Sequence, residues 1–310
     1  MVTPYRSLMY NTAAGSGAQM EDFLIGLAPP IVRGILLGGL YVVIALGLSL
    51  VFGVMKLINV GHGDLVILGS YLAYAAMTWL GMDPFLSLVM GVPLFFGFGF
   101  LVQQFIINRT FRISLDAALI ACFGISIIVQ SLCQAIWTPF ARSLTTPYQL
   151  TTFAVGPVTI SVRYLLDFIG GLAVMLALRE FLRRTYLGKA ISAASQNKTV
   201  AQRMGINPSR VYSFAFAIAM ACAAVAGVLQ GLTFYFTPVS GPPFLIISFG
   251  VIIIGGLGSM AGTFIGGMIF GLTQTLGAHL SGGSMMVQMI SAYLLVFVVL
   301  SVRPQGIFGR

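Results

Sequence analysis

The chain reads as an all-α, polytopic transmembrane helical bundle of about eight to ten membrane segments, some of them short or broken. Three observations predict this. Of 310 residues, 58% are hydrophobic and only 7% are charged, whereas an average soluble domain is roughly 25% charged. Mean hydropathy is +0.99 over the whole length. The 16 Lys and Arg residues behind the +9 charge punctuate apolar runs and form no patch on a soluble face. They read as the cytoplasmic bias of membrane topology, not as nucleic-acid affinity.

Residues 1–33 form an N-terminal extension. They include Pro4, Arg6, Asn11, Gln19, Glu21 and Asp22 and hold no long apolar core. No cleaved signal peptide is expected, so insertion falls to the first membrane helix. A spanning helix needs about 20 apolar residues. Clear runs occupy 34–55, 85–108, 114–137, 162–184 and 211–236. Shorter or Gly-rich runs occupy 64–80, 244–262, 264–280 and 287–302, and re-entrant or broken helices are expected there. Residues 34–310 thus make one membrane domain.

Arg179, Arg183, Arg184, Lys189, Lys198, Arg203 and Arg210 gather around one long polar connection, which is therefore assigned to the cytoplasm. Threading outward places Lys56, Arg109, Arg112, Arg303 and Arg310 on the same side and leaves Arg6, Arg33, Arg142 and Arg163 opposite. The N-terminus is then outside, the C-terminus inside, and 138–161 an external loop. Cys122 and Cys133 share one apolar run and Cys222 lies in another. On one helix the first two stand roughly 16 Å apart, too far for a disulfide, and all three read as small packing residues.

The polar connection, residues 187–210, carries the densest signal. Small or apolar residues recur at Ala190, Ala193, Ala194, Val200, Ala201 and Met204, close to helical spacing. Gly205 suits a helix stop, and Asn207-Pro208 opens the next turn. A short helix, a glycine break and a helix returning to the membrane would form a docking knob, with the alanine face fitted to a partner groove.

Other signals exclude chemistry. Gly256-x-Gly258-x-x-Ala261 fits a dinucleotide fingerprint, but no Asp or Glu follows Glu180 to hold a ribose. Gly262/Gly266, Gly267/Gly271 and Gly227/Gly231 instead have the spacing for close helix approach in lipid. The three lysines, Lys56, Lys189 and Lys198, lie in no phosphate-binding loop. Lys56, Asn59, His62 and Asp64 cluster at an expected cytoplasmic boundary, where polar side chains satisfy backbone groups beside glycines; two histidines in the chain make no metal set. Proton coupling would want an acid deep in the bilayer. Only Asp116 and Asp167 come close, each near an expected helix end. No catalytic set converges, so neither an ion-coupled secondary transporter nor a membrane enzyme is favoured.

The stretch from Gly188 to Asn207 follows the pattern G-[KR]-A-x-x-A-x-x-[EQ]-[DN]-x-x-x-A-x-x-x-G-I-[ND]. It resembles the cytoplasmic coupling motif of the branched-chain amino acid ABC permeases of the LivH/LivM type, with the LivH half the nearer. Three further matches lie in register. Asn59-Val-Gly-His-Gly63 resembles that family's N-x-[AG]-H-G signature; Gly255-Gly-Leu-Gly-Ser-Met-Ala-Gly262 with Gly266-Gly267 is similar to its glycine-rich late segment. Arg303-Pro-Gln-Gly-Ile-Phe-Gly309 resembles its terminal R-P-x-G-[IL]-[FL]-G. Residue 196 is Gln where some members carry Glu, and residues 1–33 have no counterpart.

The resemblance implies a multi-pass inner-membrane permease subunit of an ATP-driven importer, forming half of a translocation path. The main cargo of such permeases is branched-chain amino acids, with urea, short amides and other small organic acids as the alternatives. The implied partners are a second homologous permease, two cytoplasmic ATPases and a soluble solute-binding protein, with ATP used by the ATPases and no cofactor on this chain. Gly188, Lys189, Ala190, Ala193, Gln196, Asn197, Ala201 and Gly205 would then couple to the ATPase. Asn59, His62, Gly63, Gly255, Gly256, Gly258 and Gly262 would be signature or pathway residues.

Overall fold

A computed structural model describes residues 5–309 except 157, with side chains from Gly26 onward apart from residue 155. Most of the expected extension 1–33, including the residues that argue against a signal peptide, therefore lies outside the side chains described. Helix α1 (Tyr5–Met55) is continuous. Its membrane-length part begins at Gly26, so the last turns of the extension belong to the first span.

The expected runs are all helical. They are α2 (His62–Leu80), α3 (Leu88–Val102), α4 (Asn108–Phe111), α5 (Leu115–Trp137), α6 (Val162–Arg184), α9 (Pro208–Thr233), α10 (Gly241–Gly255), α11 (Met260–Leu280) and α12 (Met285–Val302). Between α6 and α9 the polar connection folds as α7 (Tyr186–Gln196) and α8 (Lys198–Arg203). A π-turn at Gln103–Ile107 joins α3 to α4 as one span. It lets the buried Gln103 side chain donate to Asn108 Oδ1 at 3.1 Å, while Asn108 donates to the Ser209 carbonyl at 3.2 Å.

Six of these helices are long and apolar enough to cross a membrane, or seven spans if α10 and α11, bent by 115° at a short break, count as one. The expected tally of about eight to ten counted that pair twice. Helix α6, with 23 residues, stays outside the six because Arg163 and Asp167 lie near one end and Arg179, Glu180, Arg183 and Arg184 near the other, but it runs from the hairpin to α7 and so crosses the bundle, as expected.

The all-α expectation needs one correction. The outer loop contains a hairpin, β1 (Thr152–Val155) antiparallel to β2 (Val158–Ser161), in register Thr152 to Ser161. Five β-branched residues among eight, with Gly156 at φ +60° between the strands, favour a strand pair over helix. The same loop is tied to the bundle where Arg142 and Phe236 exchange backbone hydrogen bonds of 2.8 and 2.9 Å.

Close glycine contacts hold the core together. A Cβ on Gly38 would sit 2.8 Å from the Gly267 carbonyl oxygen, so α1 and α11 touch backbone to backbone. A Cβ on Gly227 of α9 would likewise sit 2.6 Å from the Ser70 amide nitrogen of α2. In lipid, such packing replaces the hydrophobic drive that water would supply.

Contacts also order the two ends of the bundle. Lys56, Arg109, Arg112, α7, α8, Arg210 and Arg303 lie toward one end; Arg33, Arg142, Arg163 and the hairpin lie at the other. The first end is the cytoplasmic one by the charge rule. A cysteine at Gln196 should therefore resist an impermeant thiol reagent in intact cells, and one at Thr151 should react. Both positions are exposed and the three native cysteines are buried. Labelling at 196 but not at 151 would reverse the orientation.

Candidate functional site

Beyond Met55 the chain turns back. Lys56 adopts φ +56°, and the segment 57–61 climbs alongside α1 into the bundle, with Leu57 fully buried. The Asn59 side chain accepts from the Gly61 amide at 3.2 Å, and the His62 amide donates to the Asn59 carbonyl at 3.1 Å. This local turn starts α2. His62 Nε2 lies 2.7 Å from the Ile44 carbonyl oxygen, so Nε2–H donates to it. Gly47 makes the room, since a Cβ there would meet His62 Cε1 at 3.0 Å.

Ile44 lies about 16 Å along α1 from Met55 at 1.5 Å per residue. Asn59, His62 and Asp64 are therefore near mid-membrane, not at the cytoplasmic boundary where helix counting put them. Only Lys56 stays there, exposed. A nonhelical connection spends residues going backwards, and periodicity carries no sign of direction.

A second half-helix meets the first. After α9 the segment 234–240 descends from the Arg142–Phe236 bridge, and α10 starts at Gly241 with Pro242 and Pro243 in its first turn. A Cβ on Gly63 would overlap the Gly241 carbonyl oxygen, and one on Gly241 would overlap the Asp64 carboxylate. Two helix N-termini thus converge, each carrying positive partial charge, on one carboxylate. Asp64 is only 3% exposed. Its Oδ2 accepts from Ser126 Oγ at 2.5 Å and its Oδ1 from Gln130 Nε2 at 2.9 Å. Both donors come from α5, so the carboxylate ties the half-helix junction to that helix. Irregular backbone at membrane depth survives only inside protein or beside a water-lined cavity.

Sequence reasoning missed Gly241, Ser126 and Gln130. Their signals were present: Gly-Pro-Pro before an apolar run marks a helix start, and Ser126, Gln130 and Gln134 recur every four residues in a mostly apolar span.

The late glycine segment does not reach this junction. Gly255 packs on Gly262 at the bend between α10 and α11; Gly256 (φ +103°) and Gly258 (φ +81°) sit against Gly309 and Gly53. The C-terminal turn completes the corner, with the Ile307 and Phe308 amides donating to the Ile254 and Gly255 carbonyls at 2.9 and 3.1 Å. These bonds satisfy the carbonyls left at the end of α10. Gly255, Gly256, Gly258 and Gly262 are packing residues of a cytoplasmic corner.

In the connection, Thr185 caps α7 through the Gly188 amide at 2.9 Å, and Asn197 caps α8 by accepting from the Thr199 and Val200 amides. Gly205 ends the unit at φ +83°. The expected single helix is broken at Asn197. Its small face also turns inward: Gly188, Ala190, Ala194 and Ala201 are buried against the chain's own bundle. A Cβ on Gly188 would overlap Phe181 and Leu182. The small residues seat the knob, and its outer face presents Lys189, Gln196, Asn197 and Gly205, with Ala193 half-buried. Beside them Tyr186, Val200 and Met204 are 83%, 54% and 78% exposed, an apolar surface at an end of the bundle that should face water.

A helical bundle with two half-helices meeting inside it has the discontinuous helices that transport proteins place at their midplane sites. Residues 31–300 match the family model described as branched-chain amino acid transport system / permease component, and the chain belongs to that family. It is 30% identical over 298 residues to the high-affinity branched-chain amino acid transport system permease protein BraD of Pseudomonas aeruginosa, covering 90% of this chain and 95% of that protein. To the corresponding LivH protein of Escherichia coli K12 it is 31% identical over 307 residues, covering 94% and 97%. The solved structure of PsaBC from Streptococcus pneumoniae in complex with Fab shares the fold, with a TM-score of 0.51 at 14% identity over 93% of this chain and 98% of that one. The chain is a multi-pass membrane permease.

Proposed function

We propose that this chain forms half of the translocation path of an ATP-driven ABC importer for branched-chain amino acids. The observation that carries the reading is the open side of α5. Gln134 and Ser131 are exposed there and Gln130 is half-exposed, in a helix otherwise apolar enough to span. Facing hydrocarbon, the Gln134 amide and the Ser131 hydroxyl would lack partners at a cost of several kcal/mol. They fit a water-filled path instead, closed from the far side by a second, homologous permease. The junction at Asp64 lies directly behind that face. That BraD and LivH are permease proteins of high-affinity branched-chain amino acid transport systems supports the cargo.

The exposed face of α7 and α8 suits docking of a cytoplasmic ATPase, with Lys189, Gln196, Asn197 and Gly205 at the contact and Tyr186, Val200 and Met204 supplying its apolar part. ATP is bound and hydrolysed by that partner, present in two copies, and this chain holds no cofactor. A soluble binding protein delivers cargo to the outer end. Uphill transport needs a partner whose free energy separates two conformations.

Reconstitution tests the reading. Leucine uptake into proteoliposomes should appear only with the second permease, the ATPases, the binding protein and ATP together. Gly205→Val, which forces φ +83° on a β-branched residue at a cost of about 1–2 kcal/mol, should lower ATPase co-purification and uptake together. Uphill uptake by this chain alone, abolished by a protonophore, would overturn the proposal.

A further inference from the structure

The outer end of the bundle carries few cations, yet two of its three described arginines meet at one place. Arg33 of α1 and Arg163 of α6 lie on the same aromatic ring, their guanidinium carbons 5.0 and 4.8 Å from the Tyr164 centroid. Arg33 Nη2 also donates to the Tyr164 hydroxyl at 2.7 Å. Neither arginine forms an ion pair among the described residues, and Arg163 Nε is buried without a partner. Between them opens a cavity of about 180 Å³, lined also by Ser161, Thr159 and Leu36. The buried Asp167, one turn further along α6, offsets part of the Arg163 charge. The exposed Arg33 guanidinium and the buried Arg163 Nε keep no anionic partner among the described residues, and around a hydroxyl-lined hollow they call for an anion.

The depth of the hollow says which one. Arg33 precedes Ile44, the residue level with the mid-membrane junction, by about 16 Å of helix. Half of a hydrocarbon core about 30 Å thick puts the arginines at the outer headgroup layer, where tyrosine is also at home. Apolar side chains of the same two helices remain exposed nearby: Ile35 on α1, and Ile169 and Leu172 on α6. Guanidinium groups bind phosphate oxygens by paired, charge-assisted hydrogen bonds.

We propose that Arg33, Arg163 and Tyr164 form a binding site for the phosphate of an outer-leaflet phospholipid, which clamps α1, the hairpin and α6 together. The site does not depend on the cargo or on the ATPase. Native mass spectrometry of the full-length permease with dioleoyl phosphatidylglycerol tests it. The wild type should retain the lipid, and should not retain dioleoylglycerol, which lacks the phosphate. R33Q/R163Q should retain about tenfold less, the equivalent of one charge-assisted contact, while R142Q, at the third described outer arginine, should match wild type. R33Q alone alters an exposed side chain and gives the same reading if the double variant fails to fold. Equal retention by wild type and both variants would overturn the proposal. So would retention of inorganic phosphate in place of lipid, which would make the hollow a site for a free anion. Unchanged lipid with lost capture of a soluble binding protein would make it a protein-docking surface and would equally overturn it.

Discussion

Replacing Gly63 with valine should abolish uptake in the reconstituted system while an equivalent change at Gly97 leaves it intact. At Gly63 even the first added carbon would overlap the Gly241 carbonyl oxygen and lie 2.9 Å from the Leu245 amide. Both are backbone atoms of α10, so no rotamer change relieves the contact and the two half-helices must separate. Overpacking of this kind costs about 1–3 kcal/mol or more, and here it also moves the Asp64 carboxylate away from its donors. Gly97 of α3 has nothing within 4 Å of the same added carbon. Uptake and thermal melting should both fall for Gly63→Val. Wild-type values for both would mean that the half-helices do not meet as described.

The second large effect is expected at Asp64. Alanine there removes the acceptor for Ser126 and Gln130 and the negative charge that two helix N-termini face. A hydrogen bond to a charged group contributes about 1.5–3 kcal/mol, and the dipole interaction adds up to about 2 kcal/mol in buried geometry. Uptake should fall at least tenfold, with Asp64→Asn intermediate because it keeps one acceptor and loses the charge. The diagnostic measurement is a double-mutant cycle between Asp64→Ala and Gln130→Ala. Coupling should exceed the roughly 0.5 kcal/mol within which independent sites add. Additive effects would show that α5 is not tied to the junction through this carboxylate.

How far these features could be read from the chain varies by residue. The membrane class, the helical runs and the preferred orientation follow from composition and charge placement. Those act locally: a run of about 20 apolar residues has one stable home, and each arginine weighs on the side where its own loop stays. The cap at Asn207 and the stop at Gly205 are equally local, and they stand where the connection suggested; the break at Asn197 interrupts what its spacing read as one helix. The β-hairpin was missed because eight residues of strand around a turn leave little periodic signal beside spans three times as long.

The candidate site was legible as residues and not as a place. The Asn59–Gly63 signature stood out, yet helix counting put it at the cytoplasmic surface. Its depth depends on Lys56 reversing the chain, on His62 reaching the Ile44 carbonyl, and on Gly47 leaving space for that ring. The alanines of the connection showed a small face, but whether it meets a partner or the chain's own bundle depends on α6 and α9. Asp64, Ser126, Gln130 and Gly241 come from three separate parts of the chain and share nothing along it.

Local composition by itself determined that this protein lives in the membrane, which segments are helical, and which end carries the positive charge. Those properties depend on a residue's immediate neighbours and on the solvent around it. Only the tertiary structure decided that two helices stop halfway and meet at Asp64, that the late glycines build a corner, and that Arg33 and Arg163 share one ring. Each of these depends on backbones from distant segments approaching within van der Waals contact, and that distance is set by packing the whole bundle at once.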